Sequence, residues 1–143
     1  MIRGRPGWGW LAKVSRRFME KLIKDFLAQK VFAVVGASSN EKKYGNIIFK
    51  NLVSRGYKVY PVNPRLDMLD GVKAYPSVSA IPEKVDVVDV VVPPNLTEEL
   101  VKECKKLGIT RVWMQPGAES DAAVKYCKDN GIGVIYGACV MMN

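Results

Sequence analysis

Apolar residues fall in short unbroken runs, and amphipathic stretches separate them. Residues 31–35 read Val-Phe-Ala-Val-Val, and residues 85–92 read Val-Asp-Val-Val-Asp-Val-Val-Val. Further runs occupy 57–62, 111–114 and 133–136. Runs of this length, rich in β-branched residues, predict strands, and their near-continuous apolarity predicts cover on both faces. Helical spacing appears between them. Phe18, Leu22, Ile23, Phe26 and Leu27 predict an amphipathic helix over 15–29. A second helix is expected over 46–54, with Ile47, Ile48, Leu52 and Val53 inward and Gly56 as its stop. Pro93-Pro94 ends the central run, because proline cannot donate to a ladder. Asn95 followed by Glu98 and Glu99 then opens a helix reaching about residue 107, and Gly108 closes it. A last helix is expected over 120–130, closed by Gly131. Residues 66–71 read as a loop, 72–75 as a short edge strand, 76–81 as a brief helical turn and 137–143 as a tail.

Strands and helices alternate along the whole chain, with connections of a few residues. That order predicts an α/β fold: a doubly wound, mainly parallel sheet of five to six strands with helices on both faces. Right-handed crossovers place every strand-to-helix loop on one edge. Those loops begin at Gly36, Asn63, Pro93, Gln115 and Gly137. No solenoid period is present.

At 143 residues the chain suits one domain with one core. No apolar run approaches the roughly 18 residues of a membrane span, and no signal-peptide pattern is present. The net charge of +8 is concentrated at the start: residues 1–18 hold Arg3, Arg5, Lys13, Arg16 and Arg17 and no acid. We therefore read 1–18 as a basic, flexible leader and 19–143 as the domain. The leader lacks an aromatic stacking platform or a recognition helix, which ranks nucleic acid last among partners. The amphipathic helix after it suits packing across the sheet edge or on a partner, including a second copy of the chain. Histidine is absent, which excludes Ser-His-Asp and Cys-His pairs and the commonest neutral metal ligand. Cys104, Cys127 and Cys139 are widely spaced, so a zinc site is not expected, and free thiols suit a reducing cytoplasm.

The chemistry gathers at the predicted loop edge. Gly36-Ala37-Ser38-Ser39 follows the first strand and precedes a helix, an arrangement that offers free amides and a helix dipole to phosphate. It is neither a Walker A motif nor G-x-G-x-x-G, since the next glycine is Gly45. NAD-binding domains carry an acid after the second strand. Here Asn63-Pro64-Arg65 stands there instead, and a cation suits a phosphorylated ribose, as in coenzyme A or NADP.

Val-Val-Gly-Ala-Ser-Ser-Asn, the later Tyr-Gly, then Gly-Tyr-Lys-Val-Tyr-Pro-Val-Asn-Pro-Arg and the Val-Pro-Pro stop together resemble the small CoA-binding proteins. These are related to the Rossmann-like nucleotide-binding domain of the succinyl-CoA synthetase alpha subunit. The resemblance spans roughly residues 20–143. It implies that Gly36, Ala37, Ser38 and Ser39 wrap the pyrophosphate, flanked by Lys43 and Tyr44. It implies that Asn63, Pro64 and Arg65 meet the 3′-phosphorylated ribose. Val92, Pro93 and Pro94 would wall the adenine, and Gln115, Pro116 and Gly117 would line the pantetheine path. We expect here neither the synthetase's second domain nor its phosphorylated histidine, since the 143 residues contain no histidine.

Cys139, after the last strand, falls on the ligand edge, whereas Cys104 and Cys127 fall in predicted helices and read as core. Asp86 reads as the start of the central strand, remote from the ligand. Asp89, an acid inside an apolar strand, requires a partner, and a backbone group or helix terminus is the expected one. The expected function is binding of coenzyme A or acyl-CoA by a non-catalytic carrier, sensor or regulator. The alternative is an NAD(P)-binding redox sensor or small oxidoreductase.

Overall fold

The computed structural model describes residues 5–143, with side chains from residue 16 onward. Along the chain run α1 (Arg5–Leu27), β1 (Val31–Val35), α2 (Tyr44–Ser54), β2 (Lys58–Val62), β3 (Met68–Leu69) and β4 (Val72–Lys73). They are followed by β5 (Val87–Val90), α3 (Pro94–Lys106), β6 (Arg111–Met114), α4 (Asp121–Asp129) and β7 (Gly133–Ile135). Single 3-10 turns lie at Val78–Ala80 and Val140–Met142. Five strands form one parallel sheet in the order β2-β1-β5-β6-β7, the doubly wound arrangement expected. Because β1 is an inner strand, the chain winds one way to β2 and then returns to β5 on β1's other side. The crevice at this reversal, above the C-terminal ends of β1 and β5, is where open parallel sheets take ligands.

Alternate residues of each strand feed two cores. Ala33, Val88, Val90, Val112 and Met114 face α3 and α4, together with Leu100, Val101, Cys104 and Cys127. Phe32, Val34, Val87, Trp113 and Ile135 face α1 and α2. On α2 the buried stripe is Gly45, Ile48, Phe49 and Leu52, spaced i, i+3, i+4, i+7. Ile47 and Val53, expected inward, are exposed; the true stripe begins at Gly45 and is rotated away from both.

The basic leader expected over 1–18 falls largely on side chains outside the described residues, and residues 1–4 lie wholly outside them. The backbone of α1 is already helical at Arg5. Its C-terminal half docks on the sheet. Phe26 is fully buried edge-on to Trp113, with ring centroids 6.1 Å apart. Arg111 Nε holds Asp25 Oδ2 at 2.8 Å, and the Tyr57 hydroxyl donates to the Leu27 carbonyl at 2.6 Å. At the opposite end of the sheet from the crevice, Asp86 accepts the Val31 amide at 3.0 Å.

Three local expectations change. Residues 66–71 are not a simple loop: β3 and β4 form an antiparallel hairpin whose turn is Asp70-Gly71, both at positive φ. The edge strand expected over 72–75 divides, with β4 in the hairpin and Tyr75 bridging in parallel to Val62 of β2. The C-terminal tail is fixed rather than free. Val140 is buried, the Trp113 indole donates to the Ala138 carbonyl at 2.8 Å, and Arg55 donates to the carbonyls of Val140 and Asn143 at 3.0 Å each.

Phe26→Ala removes a buried ring from the α1 contact, so we expect a loss of about 3–5 kcal/mol of stability in urea denaturation. A loss under about 1 kcal/mol would show that α1 contributes little to the fold.

Candidate functional site

The crevice is built by backbone meeting backbone. Gly36 leaves β1 at φ +101°, and a Cβ there would stand 2.5 Å from the Val91 carbonyl oxygen. Gly45, in the first turn of α2, is tighter: a Cβ would stand 1.9 Å from the Gly36 carbonyl oxygen. Only glycine fits either position, so the first loop lies pressed between α2 and the chain after β5. Gly45 was missed as a site residue because it does not complete G-x-G-x-x-G. Its signal in the sequence was a glycine in the first turn of the helix that follows the loop.

Asparagines fix the loop. Asn46 Nδ2 donates to the Ser38 carbonyl at 2.9 Å, and Asn63 Nδ2 donates to the Ala37 carbonyl at 2.8 Å. Asn63 Oδ1 also accepts the Arg65 amide at 2.9 Å. The Asn63 side chain therefore clamps the loops after β1 and β2 together, which commits the groups expected to meet a ribose. Ser38 Oγ accepts the Asn40 amide at 3.0 Å. The amides of Ser38, Ser39, Tyr44 and Gly45 have no protein acceptor among the described residues. They gather at the N-terminus of α2, where the helix dipole favours an anion. Lys43, the residue before this helix, is exposed.

Beside the loop lies a cleft of about 510 Å³. Gly36, Asn63, Pro64, Arg65 and Val92 line it, five of the residues expected in the site. Its far wall was not foreseen: Leu96, Glu99, Leu100 and Glu103 share one face of α3 at helical spacing. Glu103 accepts the Ser79 amide at 3.0 Å, which ties the 3-10 turn to α3. Arg65 is exposed, and its guanidinium makes no ion pair among the described residues. Pro93 and Pro94 are exposed at the start of α3, outside the cleft lining.

The remaining expected residues separate. Pro116 and Gly117 form an exposed turn after β6. Gln115 does not line a path at all, because it is fully buried. Its Nε2 donates to Asp89 Oδ1 at 2.6 Å, and its Oε1 accepts the Val140 amide at 3.0 Å. Asp89 thus finds a side-chain amide rather than the expected backbone group or helix terminus, and its Oδ2 has no partner. Burial drives the Asp89 carboxyl up from 3.8 to about 7, against the smaller lowering effect of Gln115. Cys139 is half-buried with its Sγ 3.6 Å from the Tyr44 hydroxyl. This hydrogen bond, then the charge interaction with Cys139, pushes the Tyr44 phenol above its ordinary value. Cys104 and Cys127 are core thiols, pushed up by burial to about 12 and about 11. Among the described residues no cluster could hold a metal ion, and no helix is long and apolar enough to cross a membrane.

The family described as a CoA binding domain matches residues 30–143, the sheet and every loop of the crevice. The chain belongs to this CoA binding domain family. Its relatives divide into two kinds. The alpha subunit of the ADP-forming acetate–CoA ligase II of Pyrococcus furiosus is 44% identical over 92 residues, 64% of this chain and 20% of that protein. The chain thus spans about a fifth of that curated relative's length. YneT of Bacillus subtilis, an uncharacterized protein, is 30% identical over 119 residues, 82% of this chain and 88% of its own. Among solved structures, a hypothetical protein from Pyrococcus horikoshii superposes with a TM-score of 0.82 at 38% identity, covering 87% of both chains. A conserved hypothetical protein from Pyrococcus furiosus gives 0.77 at 43% identity, covering 80% of this chain and 98% of its own.

Gly45→Ala forces a methyl into the Gly36 carbonyl, and we expect at least about 1–3 kcal/mol of destabilisation in urea. Unchanged stability would mean that the loop yields freely. Asp89 gives a pH signature. Its unfolded carboxyl ionises near 3.8 and its folded carboxyl near 7, so the stability it contributes is complete below about pH 4 and is lost as pH rises through about 7. Asp89→Asn lacks this dependence. Its stability relative to the parent is expected to rise steadily from about pH 4 to about pH 8. A flat difference would assign Asp89 an ordinary carboxyl.

Proposed function

We propose that this chain binds coenzyme A or an acyl-CoA and works as a carrier, sensor or regulator rather than as a catalyst. The observation that carries the reading is a set of free amides at the start of α2, beside an Arg65 that pairs with no acid among the described residues. In this reading the pyrophosphate lies on Ser38, Ser39 and the first turn of α2, with Lys43 adding charge. Arg65 meets the 3′-phosphate of the ribose. The adenine rests against Val92 and Leu96, with Pro93 and Pro94 at its margin, because an apolar wall suits a base better than a charge. The pantetheine arm then runs towards Pro116, Gly117 and Cys139. Family membership supports CoA as the nucleotide.

The absence of histidine and the enclosure of Asp89, Cys104 and Cys127 support a grip rather than a reaction centre. In the ligase relatives the matched region is a fraction of a longer protein. That favours a module that presents CoA to a separate partner. A reducing compartment such as the cytoplasm suits the three free thiols.

Calorimetric titration with CoA, dephospho-CoA, NAD and NADP tests the reading. CoA is expected to bind most tightly. Arg65→Ala is expected to weaken CoA by about tenfold or more, the worth of a charge-assisted contact, and dephospho-CoA by less than about twofold. Equal losses would remove Arg65 from the 3′-phosphate. Tight NAD binding with none for CoA would replace the reading with a redox-sensing or oxidoreductase one.

A further inference from the structure

Asp89 and Gln115 belong to no cleft, yet they join the centre of the sheet to the segment that carries Cys139. Asp89 sits on β5 between Val34 of β1 and Trp113 of β6 in the strand register. It is fully buried, and one of its two carboxyl oxygens has no partner. Gln115 holds the other oxygen at 2.6 Å and the Val140 amide at 3.0 Å. Val140 opens the C-terminal turn, and Cys139 beside it touches Tyr44 at the start of α2. Hydrogen bonds thus link Asp89 through Gln115 to the Val140 amide, and the adjoining residue, Cys139, links the turn to the start of α2.

We infer that Asp89 and Gln115 are positioning residues: the protonation state of Asp89 passes through the Gln115 amide to the C-terminal turn, and sets how firmly Cys139 is held against Tyr44. An ionised Asp89 accepts a charge-assisted bond from Nε2, which orients Oε1 towards the Val140 amide. A protonated Asp89 accepts a weaker one and leaves the Gln115 amide less fixed. The groups facing Asp89 are uncharged: Val34 from β1, Trp113 from β6, Gln115 beyond it and Val140 from the turn. The titratable groups on the turn and on α2 are Cys139, Tyr44, Lys50 and Arg55. Cys139 and Tyr44 contact each other, Lys50 pairs with Glu41, and Arg55 holds the turn's carbonyls. None of them acts on Asp89, whose shift comes from burial and Gln115 alone.

The coupling does not rest on the CoA reading, so the test uses the full chain without ligand. In ¹⁵N-labelled protein, the Gln115 side-chain amide and the Val140 backbone amide are followed by NMR from about pH 5 to about pH 9. Both resonances are expected to shift with one midpoint near 7. Asp89→Asn is expected to lose both shifts. Gln115→Met, which keeps the volume and removes the amide, is expected to lose the Val140 shift while the Asp89 carboxyl carbon still titrates. The inference fails if Val140 does not move in the parent protein, if its shift survives in either variant, or if the two amides titrate with separate midpoints. Should Asp89→Asn not fold, the Gln115→Met comparison decides alone.

Discussion

The site depends on one steric fact: three stretches of main chain meet where no side chain can intervene. Gly36 presses on the Val91 carbonyl, and Gly45 presses on the carbonyl of Gly36. These contacts bring the first turn of α2 directly over the end of β1. They also bring Val91 and Val92, just after β5, beside the loop. A single methyl at either glycine would part these layers. The two asparagine clamps on the Ser38 and Ala37 carbonyls secure a geometry that the glycines make available.

On this scaffold the polar groups have distinct duties. Asn46, Asn63 and Gln115 spend their side chains on protein acceptors and donors, so they hold the loops in place. Arg65 and Lys43 are exposed and supply charge. Glu99 and Glu103 place acid on the far wall, opposite Arg65. A nucleotide lying between them would meet cation at one side of the cleft and carboxylate at the other, which constrains how its phosphates are oriented.

Much of this was legible in the sequence because the strands are short and apolar and sharply bounded by Gly36, Pro93 and Gly131. The parallel sheet and its loop edge followed from that punctuation, which marked Gly36 and Asn63 as loop starts; Val92 was implied by the family resemblance. The rest depended on side-chain direction. The spacing of α2 admitted two stripes, and only the fit of Gly45 against Gly36 selects the one that buries Phe49 and leaves Ile47 out. Gln115 stands at a loop position, and the family resemblance implies a ligand contact there. Its burial follows from a long-range pairing with Asp89 that periodicity does not encode. The Asp70-Gly71 hairpin was available as a turn signal in the sequence, but two-residue strands are too short to register as apolar runs. The C-terminal residues read as a tail because their anchors, Arg55 and Trp113, lie far away in the chain.

Tyr75 carries a consequence for how this protein can assemble. Beyond β4, its amide takes the Pro61 carbonyl and its own carbonyl takes the Asn63 amide, each at 2.9 Å. Those are the outward-facing groups at the upper end of β2, where Pro61 itself offers no amide hydrogen. The chain thus closes part of its own sheet edge with a single residue, and a neighbouring strand finds no open ladder there to extend. The opposite border, β7, offers only three residues. Association through a continuous intermolecular sheet is therefore disfavoured at both margins, which leaves helices and loops as the larger surfaces of the domain.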